Sequence, residues 1–286
     1  MRLLGLTCVA MLAFAANSVL NRMAVGAGRI DPVGFAVVRL AAGALMLACL
    51  LVARRGGVWP GWRGRMPGVA GLLIYLFGFS TAYLALDAGT GALILFGVVQ
   101  VTMFAGATLS GEVLPARRLG GAALALLGLA VLLAPKGGPL MPEAAMAMAG
   151  VGWGVYSLAG RGQTDALGAT AWNFILALPF GLVVLVLSPG HFTGTGTGTG
   201  TSTGTGWALA AGSGAITSGL GYALWYHVVP QLGAGRAAVV QLSVPLIAAY
   251  GGFALLGEVP GPGYWLAAAL VLGGVGVAAM PVHVRR

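Results

Sequence analysis

Charged side chains are scarce in this chain of 286 residues, at 7% of the total, and only six of them are acidic. Soluble domains contain about a quarter charged residues, so this composition cannot cover a water-facing surface. It excludes a cytosolic enzyme, a nucleic-acid-binding protein and a secreted disulfide scaffold. The pI of about 10.4 arises from cations placed between long apolar runs, which is typical of membrane loops.

The patterns that carry catalysis or metal binding are also missing from the sequence. No apolar run holds paired carboxylates, His, Asp and Glu do not cluster at metal-ligand spacing, and no Gly-Lys-Ser/Thr loop offers an ATP site. The two cysteines, Cys8 and Cys49, lie inside apolar runs, so we expect free thiols. The sequence therefore predicts a protein without enzymatic activity, cofactor, metal, ATP or nucleic-acid partner.

Apolar side chains make up 58% of the chain, and their arrangement predicts the fold class. A helix of about 20 apolar residues crosses a hydrocarbon core of roughly 30 Å. We interpret the first run as a retained span rather than a cleaved signal peptide, because it contains Asn17 and Asn21. The expected fold is an all-α polytopic membrane protein with ten transmembrane helices. The ten runs lie at approximately 3–24, 32–53, 67–86, 90–110, 118–134, 143–161, 168–187, 207–229, 236–256 and 262–281.

The cations predict the orientation of these spans. With a cytoplasmic N-terminus, eleven cations face inside, three face outside (Arg22, Arg29 and Lys136), and Arg39 falls within a span. This excess is a positive-inside bias, so both termini are predicted to be cytoplasmic. The segment 193–206 alternates Thr and Gly, which predicts a flexible external linker. The inside cations are Arg2, Arg54, Arg55, Arg63, Arg65, Arg117, Arg118, Arg161, Arg236, Arg285 and Arg286.

The two halves of the chain resemble each other. Residues 14–22 align with residues 153–161 at an offset of 139, and the same offset carries Tyr83 onto Tyr222. Matches that recur in the same order in the first, third and fourth spans of each half indicate a duplication. Further pairs, with a slightly larger offset, are Gln100 with Gln241 and Glu112 with Glu258.

The repeat unit contains five spans, an odd number, so the second half must enter the membrane from the opposite side. We expect one five-helix repeat at 1–136 and a second, inverted repeat at 137–286. Inverted duplications recur in secondary transporters, where the substrate site lies near the midplane between the repeats. This step to transport rests on architecture alone.

The layout and several motifs resemble the EamA-type drug/metabolite transporter superfamily. The similarity rests on the five-plus-five spans, on Trp153-x-x-Tyr156, and on the Gly-Glu pairs that end at Glu112 and Glu258. Within that superfamily the chain is most similar to bacterial amino-acid exporters of the YddG type. The resemblance implies a basket-like helical bundle in the bacterial inner membrane, with a central cavity for amino acids or related small metabolites. The chain departs from the family pattern in its fourth span, which lacks the proline often found there; the ninth span has Pro245.

Polar and aromatic side chains at membrane depth mark either a cavity or a helix contact, because unsatisfied polar groups are costly in lipid. The tryptophans near span ends, Trp59, Trp62, Trp207 and Trp265, are instead predicted to form an interfacial belt. The glycine clusters around Gly150 and Gly274 predict close helix contacts. The candidate substrate-binding residues are Asn17, Asn21, Tyr75, Tyr83, Gln100, Trp153, Tyr156, Tyr222 and Gln241.

Arg39 is the single cation inside a predicted span, roughly 10 Å below Pro32. It either has a structural role, extending to the interface or bonding carbonyl groups, or it receives a substrate carboxylate. Asp31 and Asp87 are the acidic residues near enough in the predicted topology to pair with it.

The leading functional hypothesis is a secondary transporter that moves aromatic or hydrophobic amino acids, or related metabolites, by alternating access. All six acidic residues fall in loops or at span ends, and His227 lies near an inner end, so we expect facilitated transport without proton coupling. A proton-antiport carrier of hydrophobic amines is the alternative. A passive channel or a structural membrane protein remains as a hypothesis of another class. The expected partners are a small-molecule substrate and the lipid bilayer.

Cysteine labelling tests the predicted orientation. In a background without Cys8 and Cys49, a cysteine at Thr199 should react with a membrane-impermeant reagent applied to intact cells, because the linker faces outside. A cysteine at Arg63 or Arg117 should react only after permeabilisation. The reverse pattern would contradict both the orientation and the inverted repeat.

Overall fold

The computed structural model describes residues 2–54, 61–62, 64–109, 116–134, 140–160, 165–188, 202–232 and 240–279. Every regular element in these ranges is helical, and they form ten helices. In chain order these are α1 (Arg2–Asn21), α2 (Pro32–Ala53), α3 (Met66–Ala82), α4 (Ala88–Leu109), α5 (Ala116–Leu133), α6 (Met141–Gly160), α7 (Ala166–Leu187), α8 (Gly204–Gly212, continued through Ser213–Leu220 and Gly221–Leu232), α9 (Ser243–Leu256) and α10 (Pro262–Ala279).

The helices correspond one to one to the ten predicted spans, which confirms the all-α polytopic fold. Four of the described helices are long and apolar enough to cross a membrane by themselves: Arg2–Gly26, Pro32–Ala53, Ala88–Gly106 and Leu167–Leu187. Four others are shorter apolar helices: Met66–Ala82, Leu119–Leu133, Ser243–Leu256 and Pro262–Ala278. The third span is shorter than predicted, because α3 ends at Ala82 and the chain then turns into α4.

Local capping explains where several helices begin. The Asp31 carboxylate accepts a hydrogen bond from the backbone N–H of Gly34 at 2.8 Å, and Pro32 occupies the first helical position of α2. The Thr203 hydroxyl accepts from the Gly206 N–H at 3.1 Å and starts α8 at Gly204. The prediction of a linker over 193–206 is therefore wrong at its C-terminal end, because this cap starts a helix there. Residues 193–201 lie outside the described residues.

Two regions of the bundle contain π-helical turns, which widen the helix by one residue per turn. Arg22–Gly26 extends α1, and Ser213–Leu220 forms the middle of α8. The second segment is rich in small residues, and Gly214 lies directly against the backbone carbonyl of Arg39 on α2. The absence of a side chain at Gly214 therefore permits close packing of α2 and α8.

One end of the bundle is joined by an ion pair, which we call the Arg22–Glu258 clamp. The Arg22 Nε donates to Glu258 Oε1 at 2.7 Å, and its Nη1 donates to the Tyr83 carbonyl at 3.1 Å. The other carboxylate oxygen of Glu258 accepts from the Ala88 N–H at 2.8 Å. Asp87 lies 4.0 Å from Arg22. The clamp thus connects the ends of α1, α3 and α9 with the start of α4.

The opposite end is joined by a separate set of contacts. Arg54, after α2, pairs with Asp165, before α7, at 3.1 Å. Arg65, before α3, donates to the Ala169 carbonyl at 3.3 Å. These contacts group the helix ends in the alternating pattern that the predicted spans require.

Helix contacts are closest where glycines face one another. A Cβ atom at Gly152 of α6 would lie 2.7 Å from the Gly71 carbonyl oxygen of α3, and a Cβ at Gly71 would meet the Gly152 carbonyl at the same distance. Gly274 of α10 faces Gly121 of α5 in a similar contact, and Gly150 packs on Val98 of α4. The predicted contact role is therefore confirmed for Gly150, Gly154 and Gly274, whereas Gly273 of the second cluster faces open space.

The outer surface of the bundle carries large apolar side chains, as expected for a lipid-facing surface. Trp62, Trp207 and Trp265 are exposed to 51%, 47% and 55%, which agrees with an interfacial belt and not with a cavity. Trp59 lies outside the described residues. Cys8 and Cys49 are exposed free thiols.

The contact between α3 and α6 predicts the effect of a small substitution. Gly152→Ala should destabilise the protein by about 1–3 kcal/mol, because its methyl group overlaps backbone atoms of Gly71 and Tyr75 that cannot rotate away. The matched control is Gly273→Ala, since a Cβ at Gly273 meets nothing within 4 Å. Thermal unfolding in detergent measures both variants. Equal midpoints would contradict the close contact.

Candidate functional site

Aromatic rings from four helices meet at Trp153 in the middle of the bundle. The Trp153 ring centroid lies 4.9 Å from that of Tyr75 and 4.9 Å from that of Tyr222, and Phe14 approaches it edge-on at 6.3 Å. Tyr156, one turn along α6, stacks on Trp153 at 5.2 Å. These rings come from α1, α3, α6 and α8, so both halves of the chain contribute to the cluster.

Spacing along the helices explains why the rings form a continuous surface. Tyr75 and Phe79 on α3 and Tyr83 directly after it follow one another at four-residue intervals, and their neighbouring rings are 5.2 and 4.8 Å apart. The Gly71–Gly152 contact brings α3 against α6, which places Tyr75 beside Trp153. A larger residue at either glycine would separate the two rings.

A small cavity lies inside this cluster. Its free volume is about 10 Å³, roughly the space that one water molecule needs. The aromatic side chains therefore fill the site, and a larger ligand requires them to move. The lining residues are Phe14, Asn17, Ser18, Tyr75, Phe79, Leu95, Phe96, Trp153 and Tyr222.

Arg39 is completely buried directly behind the cavity wall. Its Nη2 donates to the Tyr75 hydroxyl at 2.7 Å and to the Tyr222 hydroxyl at 3.3 Å, and its Nε donates to Ser218 Oγ at 2.9 Å. The guanidinium carbon lies 5.0 Å from the Phe79 ring centroid, within cation–π range. An arginine in the centre of a transmembrane helix costs about 2.5–3.5 kcal/mol on insertion scales, so these contacts are needed to hold it.

The sequence-based partners of Arg39 are wrong. Asp31 caps its own helix, and Asp87 lies next to Arg22. Within the described residues no ion pair involves Arg39, and the long side chain points into the bundle instead of extending to the interface. The physical reason is that hydroxyl groups on α3 and α8 are nearer to the guanidinium than either carboxylate.

Asn17 joins α1 to the π-helical segment of α8. Its side-chain oxygen accepts hydrogen bonds from the hydroxyls of Ser213, Thr217 and Ser218, and its Nδ2 donates to the Thr217 carbonyl at 3.4 Å. Asn17 therefore lines the cavity and also fixes α8. The clustered hydroxyls were missed in the sequence, although a Ser-x-x-x-Thr-Ser pattern between glycines was the available signal.

The predicted site residues separate into two groups in the structure. Asn17, Tyr75, Trp153 and Tyr222 line the cavity, and Tyr156 supports Trp153 from behind. Phe14, Ser18, Phe79, Leu95 and Phe96 also line it and were not among the nine candidates. Leu95 and Phe96 carried no signal, because apolar residues on α4 are indistinguishable from core residues in the sequence.

The remaining candidates lie outside the cavity lining. Tyr83 is buried behind Phe79 and donates to the Ala88 carbonyl at 3.3 Å. Asn21 donates to Ser80 Oγ at 3.1 Å, which is a contact between α1 and α3. Gln100 is buried on α4, and Gln241 is half-buried just before α9. The positions of these four residues within the apolar runs predicted their depth in the membrane, but not whether their side chains face the cavity.

The described residues offer neither a metal site nor an acidic side chain at the cavity. Among the described residues, no group of three or more His, Cys, Asp or Glu side chains could hold a metal ion. The described acidic residues all lie at helix ends: Asp31, Asp87, Glu143, Asp165 and Glu258. Glu112 lies outside the described residues.

Comparisons with known proteins agree with this architecture. An uncharacterized protein of Pseudomonas aeruginosa is 46% identical over 282 residues, which span 98% of this chain and 95% of that protein. A crystal structure with 20% sequence identity superposes with a TM-score of 0.66 over 96% of this chain and 98% of its own, and this likeness concerns the fold alone. The model of the EamA-like transporter family matches residues 140–280. The C-terminal half of the chain, residues 140–280, is a domain of the EamA-like transporter family, whose members are membrane transporters of small molecules.

Proposed function

We propose that this protein is a secondary transporter of amino acids or related small metabolites, with aromatic and hydrophobic amino acids favoured, similar to the YddG-type exporters. The observation that carries the proposal is the aromatic cavity around Trp153. Its rings from both halves of the chain offer stacking surfaces to an aromatic or apolar side chain. Asn17 and Ser18 add polar groups at the same cavity.

The packing of the helices supports two repeats, at 1–136 and 137–286, related by inversion. Exchanging the halves replaces α1 by α6, α3 by α8 and α4 by α9. Under this exchange the contact of α3 with α6 becomes that of α8 with α1, and the contact of α4 with α6 becomes that of α9 with α1. All four contacts are present. The pairs α2–α7 and α5–α10 map onto themselves and are also in contact.

Closure at one end of the cavity favours alternating access over a continuous pore. Ser18 lines the cavity, and the Arg22–Glu258 clamp lies four residues further along α1, a distance of about 6 Å. In the proposed topology the clamp is on the outer side of the bacterial inner membrane, and both termini are in the cytoplasm. A channel would instead need polar side chains along the full length of several helices.

Flux measurements with Trp153→Ala test the proposed site. In liposomes that contain only this protein, a panel of amino acids should identify a transported aromatic or hydrophobic substrate. The substitution should lower its flux about 5- to 150-fold, because the lost stacking and dispersion area is worth about 1–3 kcal/mol. Tyr83→Ala should also lower flux by removing support from Phe79.

The matched control for this experiment is Trp265→Ala, since Trp265 is 55% exposed whereas Trp153 is 7% exposed. The control should transport like the parent protein. Size-exclusion chromatography in detergent verifies that each variant is folded, since a folded variant elutes as a single species. Equal flux in the Trp153 and Trp265 variants would place the substrate elsewhere.

Energy coupling gives a second test. The described acidic residues lie at helix ends, and arginine does not release its proton in proteins, so the cavity provides no group to carry a proton across the membrane. A net-neutral substrate should therefore move down its own gradient without an imposed pH gradient or membrane potential. Proteoliposome flux with and without a pH jump measures this.

His227, exposed near one end of α8, is the residue that would contradict this expectation. Uphill accumulation driven by a pH jump and abolished in His227→Ala would assign it the coupling role. That outcome would favour the proton-antiport carrier of hydrophobic amines.

A further inference from the structure

Arg39 is a buried charge with an incomplete set of partners. The side chain is 0% exposed, and its positive charge faces hydroxyl groups and aromatic rings. In the described part of the chain no carboxylate lies within 4.0 Å of it. A guanidinium placed among apolar helices without an anion is costly, and such groups in transporters mark substrate pathways.

One nitrogen of this guanidinium remains available for a ligand. Nε and Nη2 are used by Ser218, Tyr75 and Tyr222, whereas Nη1 is buried and has no hydrogen-bond partner among the described residues. A guanidinium carries five N–H donors in a planar fork that matches the two oxygens of a carboxylate. The unused Nη1 therefore lies beside Nη2, which donates to the hydroxyls of Tyr75 and Tyr222.

These two hydroxyls connect Arg39 to the cavity. Tyr75 and Tyr222 both line the cavity with their rings, and both bond Arg39 with their hydroxyls, which are 3.4 Å from each other. A ligand group at the cavity wall that displaces either hydroxyl gains direct access to the guanidinium. An anion gains most, because it accepts stronger hydrogen bonds from the guanidinium than the neutral hydroxyl that it displaces.

We infer that Arg39 binds the carboxylate of the transported molecule, with Nη1 and Nη2 donating to its two oxygens and the aromatic rings of the cavity holding its apolar part. This inference rests on the proposed function and specifies its substrate class as aromatic or apolar molecules that carry a carboxylate. None of the described residues that line the cavity is acidic, so the inferred recognition rests on the carboxylate of the substrate.

A purely structural role for Arg39 makes a different prediction. Through Ser218 the side chain also holds the π-helical segment of α8. If this were its whole function, loss of Arg39 would weaken all ligands of the cavity to the same extent. A carboxylate-binding role instead changes the ratio between ligands that differ only in their charged group.

The test uses four compounds with one phenylethyl skeleton: phenylpropionate, phenylalanine, phenylpropionamide and phenethylamine. Their affinities for the purified protein are measured by quenching of tryptophan fluorescence and by thermal stabilisation. The two carboxylates should bind about tenfold or more tightly than the neutral amide and the amine, because only a carboxylate neutralises the buried guanidinium. This preference for carboxylates is measured on the parent protein, so the result does not depend on whether a variant folds.

Two substitutions then locate the preference. In Arg39→Gln the ratio of phenylpropionate to phenylpropionamide affinity should fall to about one, and Arg39→Lys should retain part of it, since an ammonium keeps the charge but not the planar fork. Arg54→Gln is the matched control, because Arg54 is 53% exposed at the far end of α2. It should keep the ratio of the parent protein.

Three outcomes would overturn this inference. Equal affinity of the parent protein for the amide and the carboxylate would overturn the role of Arg39, while an aromatic transport site would stand. A ratio that survives in Arg39→Gln would overturn it as well. Failure of all four compounds to bind would also overturn it, and the amino-acid flux panel would then decide whether transport itself fails.

Discussion

The buried charge of Arg39 is the constraint on which the centre of this structure depends. A cation inside a membrane bundle must be satisfied by protein groups, because lipid offers none. Here those groups are hydroxyls on α3 and α8, so their bonds fix both helices against α2. The tyrosines that supply two of them present their rings to Trp153. The charge and the aromatic cavity are therefore one connected unit.

Small residues make this unit geometrically feasible. The Gly71–Gly152 contact lets α3 approach α6, and Gly214 lets the π-helical part of α8 approach α2. Because a π-helical turn contains an extra residue, it changes the direction of the side chains that follow. Ser218 and Tyr222 lie in and just after this segment, and both contact Arg39. Backbone packing thus determines which hydroxyls meet the guanidinium.

The sequence predicted the helices better than it predicted the site. The length of an apolar run and a helix cap such as Asp31 are both short-range signals. The ten helices and most of their ends could therefore be predicted from the sequence. The partners of Arg39 were not, since they lie 36 and 183 positions away on other helices. The position of Gln100 within the fourth apolar run predicted its depth in the membrane but not the direction of its side chain, because rotation about a helix axis is set by packing.

The size of the cavity connects recognition with movement. The cavity has about 10 Å³ free, so a substrate needs lining side chains to move, and two of these, Tyr75 and Tyr222, are held by Arg39. A carboxylate that replaces their hydroxyls at the guanidinium would release both rings without leaving the charge unpaired. Uncharged ligands would have to break the same bonds without replacing them. The proposed specificity and the opening of the site therefore follow from the same set of hydrogen bonds.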